Sequence, residues 1–257
     1  MTRRWNRALV TGASSGIGDA IARRLAGAGT DLVVVARDRD RLERLAADLP
    51  VATEVLPADL ADPAAVDRVA ARIEADDAPV DLVVNNAGFG NYGPFAGLDR
   101  DAETAVVTVN VAALHRLCHA AAGALGSRGG GGILNVASVA GLMPSASGAT
   151  YNATKAFVVS LSESLHLELR SAGVHVTALC PGLTRTEFQD RAGIDLSDLP
   201  GFLWQDADTV AAAGLAGVAA GRVRVVTGIH NKVAVTGLRL VPGPIGRRLI
   251  TTLSPDR

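Results

Sequence analysis

The chain has 257 residues, 48% of them hydrophobic, with a formal net charge of −1, so it can bury a large core as a soluble unit of one or at most two domains. A balanced charge supplies no field for nucleic acid and no sustained basic patch replaces it, so DNA or RNA binding is not expected. The two cysteines, Cys118 and Cys180, lack C-x-x-C spacing and the five histidines are scattered, which argues for buried thiols and against a disulfide framework, a redox pair or a metal site.

The start, Met1–Arg7, is basic, but only Ala8-Leu9-Val10 follows before a turn, too short for the apolar region of a signal peptide. No uninterrupted apolar run approaches the ~18–20 residues that cross a bilayer. A cytoplasmic address is therefore expected and membrane association is not, although a basic tail leaves surface contact open. Beyond this point, runs rich in valine and leucine alternate with longer alanine-rich stretches of helical period, the pattern of β-α units. Strands are predicted over Arg7–Thr11, Asp31–Ala36, Ala52–Ala58, Asp81–Asn85, Gly132–Ala137, His175–Leu179 and Arg222–Thr227. Helices are predicted over Gly16–Ala28, Arg39–Ala47, Pro63–Ala75, Asp101–Ala122, Tyr151–Ser171 and Ala207–Ala220. Continuous apolar strands imply burial on both faces, hence a mainly parallel sheet covered by helices. Residues 1–257 are read as a single doubly wound α/β domain with ligands at the carboxyl ends of its strands.

The first strand ends in Thr11-Gly12-Ala13-Ser14-Ser15-Gly16-Ile17-Gly18. Glycines at a strand-to-helix turn let amide N–H groups and a positive helix end approach a pyrophosphate. After the second strand comes Arg37-Asp38 where dinucleotide folds place an acid for a ribose hydroxyl or a base for a 2′-phosphate. Ala36-Arg37 favours NADP(H), with a solvated arginine as the other reading and NAD(H) still open. Further on, Asp59-Leu60 follows the third strand, Asn85-Asn86-Ala87-Gly88 the fourth and Ser138 the fifth. Tyr151 and Lys155 stand one helical turn apart, which puts phenol and ammonium on one face. Such a cation should favour the phenolate by roughly 1–3 pK units and make the tyrosine a proton donor. Asn110, inside a long apolar helix, either has its amide satisfied structurally or holds a water.

Taken together, Gly-x-x-x-Gly-x-Gly, Asn-Asn-Ala-Gly, Ser138 and Tyr-x-x-x-Lys resemble the short-chain dehydrogenase/reductase family, in its ketoreductase-like branch, across essentially the whole chain. The resemblance implies a seven-stranded Rossmann-type domain that interconverts a carbonyl and an alcohol by hydride transfer. It implies that Gly12, Ser14, Ser15, Gly16, Ile17 and Gly18 bind the cofactor phosphates. Asp59 and Leu60 would border the adenine, and Asn85, Asn86, Ala87 and Gly88 would line the sheet edge near the ribose. Pro181, Gly182 and Thr184 would meet the nicotinamide carboxamide, and Tyr151 and Lys155 the nicotinamide ribose. The implied catalytic set is Asn110, Ser138, Tyr151 and Lys155, with Asn110 supporting a water behind the lysine. Phe89–Phe95, with Tyr92, would begin a wall of the substrate cleft, and residues 185–205 would cover it. The apolar Phe188, Phe202, Leu203 and Trp204 fit either an apolar substrate or the packing of a small helix. A homodimer or homotetramer is expected, although the tail, 229–257, departs from the family's glycine-rich ending. Two other readings stay open: an epimerase or dehydratase on the same fold, and a non-catalytic cofactor sensor.

Overall fold

The computed structural model describes residues 4–143, 147–193, 196 and 199–240. Strands β1 (Arg7–Thr11), β2 (Asp31–Ala36), β3 (Thr53–Pro57) and β4 (Leu82–Asn85) alternate with helices α1 (Gly16–Gly27), α2 (Arg39–Asp48) and α3 (Pro63–Glu74). The second half holds α4 (Arg100–Val107), a π-helical turn (Thr108–Ala113) and α5 (Leu114–Ser127). After these come β5 (Gly131–Val136), α6 (Ala149–Leu169), β6 (Val174–Cys180), α8 (Ala207–Ala219), β9 (Arg224–Val226) and α9 (Ile229–Leu240). The short β7 (Thr184–Arg185), α7 (Phe188–Arg191) and β8 (Gln205–Asp206) lie between β6 and α8.

Seven strands form one sheet in the order β3-β2-β1-β4-β5-β6-β9, every pair parallel. Within β1 and β2, Ala8, Val10, Leu32 and Val34 turn to one face, where Ile21, Leu25, Leu42, Val210 and Leu215 cover them. Leu9, Val33 and Val35 turn to the other, against Val69, Ile73, Leu117, Leu125 and Val158. Each strand thus feeds two cores, the physical reason its sequence is apolar without alternation. The chain order reverses between β1 and β4, so their carboxyl ends open the crevice in which doubly wound sheets bind ligands.

Predicted bounds hold to within about two residues for most elements. The exceptions have local causes. The long helix reaches Ser127 and contains the π-helical turn, whose Asn110 and Ala113 are buried. Spanning Arg100–Ser127, it is long and apolar enough by length and composition to cross a bilayer, although Asn110, His115, Arg116 and His119 interrupt its apolar run. Its apolar residues are instead spread around a face packed on α3, β4 and β5. In the covering segment, β7 and β8 form a separate two-stranded parallel pair. Helix α9 occupies the start of the tail, and the rest of the tail, with Arg247 and Arg248, lies outside the described residues. Cys118 and Cys180 are free, buried thiols.

Candidate functional site

The site begins with how the β1–α1 turn is built. Gly12 and Gly16 adopt left-handed backbone, φ 64° and 60°, which favours glycine. A side chain at Gly18 would stand 2.2 Å from the Gly12 carbonyl oxygen, so this glycine lets helix and strand approach rather than facing the cleft. Asn86 Nδ2 donates to the carbonyls of Thr11 (3.0 Å) and Gly12 (3.1 Å), and Thr11 Oγ1 accepts from the amides of Asn86 and Ala87 at 3.0 Å each. These bonds tie the glycine loop to the Asn-Asn-Ala-Gly segment across the switch point. Ser15 precedes α1 without a side-chain cap bond, so the first N–H groups of α1 lack a local side-chain acceptor in a lining suited to an anion.

A cleft of about 820 Å³ runs from this turn along the carboxyl edge of the sheet. Gly12, Ser14, Ser15, Gly16 and Ile17 line one end, with Arg37, Asp59 and Leu60 beside them. Asn86, Ala87 and Gly88 follow, and Ser138, Tyr151, Lys155, Pro181, Gly182 and Thr184 line the other end. Two anticipated cofactor residues fall outside it. Gly18 packs the loop from behind, and Asn85 lies beneath, its Nδ2 2.9 Å from Asn135 Oδ1 and 3.3 Å from Cys118 Sγ. The period-2 geometry of β4 sends neighbouring asparagines to opposite sides, one into the cleft and one into the core.

At the far end of the cleft, β5 delivers Ser138 and α6 delivers Tyr151 and Lys155. Ser138 faces the Tyr151 phenol and favours its ionised form, and its Oγ accepts from the Ala140 amide at 3.1 Å. Tyr151 is 7% exposed and Lys155 5%. Lys155 Nζ donates to the Val136 carbonyl at 2.9 Å and lies 5.7 Å from the Tyr151 ring centre. Burial pushes the phenol up to about 12, with Ser138 pulling it back, and pushes the ammonium down to about 8. The downward shift anticipated for Tyr151 is therefore absent here. The desolvation of a buried phenolate outweighs a cation aimed at a backbone carbonyl. Asn110 Nδ2 donates to Phe89 O (2.8 Å) and Thr154 Oγ1 (3.1 Å), and its Oδ1 accepts from Phe89 N (3.1 Å). Its amide is thus fully engaged in tying the β4 loop to α6. Gly88 passes between: a side chain there would sit 2.9 Å from Asn110 Oδ1 and 3.3 Å from Lys155 Nζ.

On the substrate side, Tyr92 and Phe188 flank the Tyr151 ring, centroids 5.6 and 5.5 Å away. Of the covering segment's aromatics, only Phe188 lines the cleft. Phe202 is 75% exposed and Trp204 packs under the Arg185 guanidinium, 5.6 Å from ring centre to Cζ. Sequence reasoning missed three features of the site. Arg41 on α2 pairs with Glu187 at 2.9 Å across the cleft mouth. Asn231 on α9 reaches the lining beside Gly182. Glu103 on α4 bonds both Asn91 and Thr150. None carries a signal in the sequence, because each meets the site through residues of another β-α unit or the covering segment.

The family model described as short chain dehydrogenase matches residues 6–196. A 3-oxoacyl-acyl-carrier-protein reductase of Salmonella typhimurium is 32% identical over 212 residues, covering 80% of this chain and 86% of its own. Among solved structures, a short-chain dehydrogenase from Sphingobium yanoikuyae in complex with NADPH is 37% identical. It superposes with a TM-score of 0.83 over 98% of this chain and 97% of its own. The bulky-bulky ketone specific alcohol dehydrogenase of Comamonas testosteroni is 33% identical, TM-score 0.77, over 93% of this chain and 95% of its own.

Proposed function

Since the chain belongs to the short-chain dehydrogenase family and is an oxidoreductase, we propose that it interconverts a ketone or aldehyde and the corresponding alcohol with NADP(H). The observation that carries this reading is Ser138, Tyr151 and Lys155 converging at one end of a cleft whose other end is an uncapped helix start with Arg37 beside it. The lining fits a dinucleotide phosphate. The uncapped α1 amides suit a pyrophosphate, and among the described residues Arg37 has no ion-pair partner and no carboxylate in its place at the end of β2. One domain would both bind the cofactor and catalyse.

When bound, the cofactor supplies or accepts the hydride. The protein's own part is orientation and the proton. Gly12, Ser14, Ser15, Gly16 and Ile17 hold the phosphates, with Arg37 at the 2′-phosphate. Asp59 and Leu60 border the adenine, while Asn86, Ala87 and Gly88 pass beside the ribose. Pro181, Gly182 and Thr184 fix the carboxamide. Ser138 bonds the substrate oxygen, and Tyr151, held protonated by burial, gives it a proton as negative charge develops there. Lys155 stands behind the phenol, and Asn110 steadies the Gly88-Phe89 turn on which Lys155 packs. Tyr92 and Phe188 give the substrate side apolar walls, which favours a neutral, apolar carbonyl compound. Val107, Phe157 and Leu167 expose apolar side chains on α4 and α6, which supports assembly as a homodimer or homotetramer.

The test is NADPH oxidation against a panel of ketones, aldehydes and 3-oxoacyl esters, with Tyr151→Phe alongside. Turnover by the native chain and its loss by orders of magnitude in Tyr151→Phe is the expected pair of results. Full activity in Tyr151→Phe, or binding of NADPH without turnover of any carbonyl, would remove the catalytic reading.

A further inference from the structure

The helix that carries Tyr151 starts without the usual local fastening. Gly148 precedes α6 with no side-chain cap bond, and the first turn of α6 contains no acid, although a helix start leaves N–H groups exposed and favours negative charge. A carboxylate from another helix stands there instead. Glu103 of α4 is 9% exposed. One of its oxygens accepts from the Thr150 hydroxyl, on the residue just before Tyr151, and the other from Asn91 Nδ2 at 3.0 Å. Burying a carboxylate is costly unless its oxygens are bonded, so its two partners define what it is there to hold.

Asn91 belongs to the loop that lies directly on the tyrosine. A side chain at Gly90 would stand 2.6 Å from Tyr151 Cδ2, Tyr92 packs at a tilt of 46° against the same ring, and Gly93 N donates to Ser147 O at 2.9 Å. We propose that Glu103 is a positioning residue whose single buried carboxylate locks the first turn of α6 to this loop, setting both the Tyr151 phenol and the wall it shares with the substrate. The inference rests on the reading of Tyr151 as proton donor. It goes beyond that reading by assigning a residue of α4 that does not line the cleft.

The chain has only two tyrosines, Tyr92 and Tyr151, and both belong to this cluster. Labelled with 3-fluorotyrosine, the protein shows two fluorine resonances, assigned by Tyr92→Phe. Glu103→Gln removes the charge and keeps one acceptor oxygen, so the Thr150 hydroxyl must reverse from donor to acceptor if both bonds are to persist. The substitution is expected to shift the Tyr151 resonance and to lower kcat on the order of 10- to 100-fold, the scale of a small misplacement at a reacting group. The NADPH dissociation constant, read by nucleotide fluorescence, stays in place. Glu103→Asp, with the charge on a shorter arm, recovers part of kcat. Thr150→Val reproduces the loss and adds little to Glu103→Gln, the non-additivity of one shared contact. An unmoved Tyr151 resonance with native kcat in a folded Glu103→Gln protein overturns the proposal, as does an equal weakening of NADPH binding. If Glu103→Gln fails to fold, Thr150→Val and Asn91→Ala remove the two arms separately and are read the same way. Because the resonance needs no turnover, a native protein inactive on every carbonyl would sink the proposed reaction while the positioning of Tyr151 is still decided.

Discussion

Two titrations at single residues govern the pH behaviour of the site. The Lys155 ammonium, pushed down to about 8 by burial, loses its proton well before the Tyr151 phenol, pushed up to about 12. Carbonyl reduction should therefore hold through neutral pH and decline as pH rises past about 8, and the decline should track the lysine. A kcat profile that stays flat to pH 10 would contradict this. At the other end of the cleft lies the exposed Arg37, the residue proposed to set the cofactor preference. A charge-assisted bond to a phosphate contributes roughly 1.5–3 kcal/mol, so Arg37→Ala should raise the KM for NADPH on the order of 10- to 100-fold. The KM for NADH should barely move, and equal effects would discard Arg37 as a 2′-phosphate ligand. That Ser138 and Arg37 would reach the cleft was legible from their places after strands, and that Tyr151 and Lys155 would share a face from their i, i+4 spacing. Glu103 was not, since an acid in the first turn of a helix reads as ordinary dipole complement until Thr150 and Asn91 are seen beside it. The Tyr151 shift was misread because burial, which depends on the whole fold, outweighs a neighbouring charge.

At the scale of elements, the glycine turn makes the sharpest claim. An alanine at Gly18 would put Cβ 2.2 Å from the Gly12 carbonyl oxygen and 2.5 Å from Asn86 Nδ2. The first atom is backbone, so strand and helix must separate. Gly18→Ala should lose NADPH binding and lower the melting temperature together, whereas Gly27→Ala in the same helix, with nothing within 4 Å, should do neither. Most strands and helices were readable to within about two residues because the central strands are apolar on both faces and the helices on one. The cover was less readable. Two-residue strands such as β7 and β8 offer no periodicity, and α7 is a single turn. Asn110 could be read as buried but not as part of a π-helical turn, because a change of helical pitch leaves no mark in an apolar run.

The whole molecule responds to ligand and to alkali in opposite directions. A ligand bound only by the folded chain stabilises it by about 2.7 kcal/mol at one hundred times its dissociation constant, which for a chain of this size raises the melting temperature by roughly 5–10 °C. NADPH should give this shift, and NADH less at equal concentration. A null result with both would speak against a dinucleotide cleft. For alkali, the lowered pKa of Lys155 means that the folded chain binds fewer protons than the unfolded chain between about 8 and its ordinary 10.5. That one group therefore adds stability as pH rises through this window, and its burial penalty is fully present below it. Cys118, Cys180 and Tyr151 are each pushed up to about 12, so there the folded chain holds more protons and stability falls once pH passes 9 to 10. Burial pushes the Tyr92 phenol up as well, so four acids outweigh one base. Melting temperature should drop steeply above pH 9, and Lys155→Met should be more heat-stable than the native chain at pH 7, with the gap closing toward pH 10. A constant gap would mean that the ammonium is not desolvated as its surroundings imply.

The π-helical turn at Thr108–Ala113 has one further consequence. An α-helix advances about 100° per residue, so the wider turn acts as a phase shifter between Glu103 upstream and Leu117 and Leu125 downstream. Excising a single residue from it would restore ordinary pitch and satisfy every backbone bond. Because the wider turn absorbs about one residue's rotation, such an excision would leave the upstream half in phase and the carboxylate beside Thr150, whereas straightening the turn with no residue removed would swing that half around its axis. The one extra residue in this turn therefore keeps Glu103 in register with Thr150, and a straightened turn of full length would harm the chemistry more than the core.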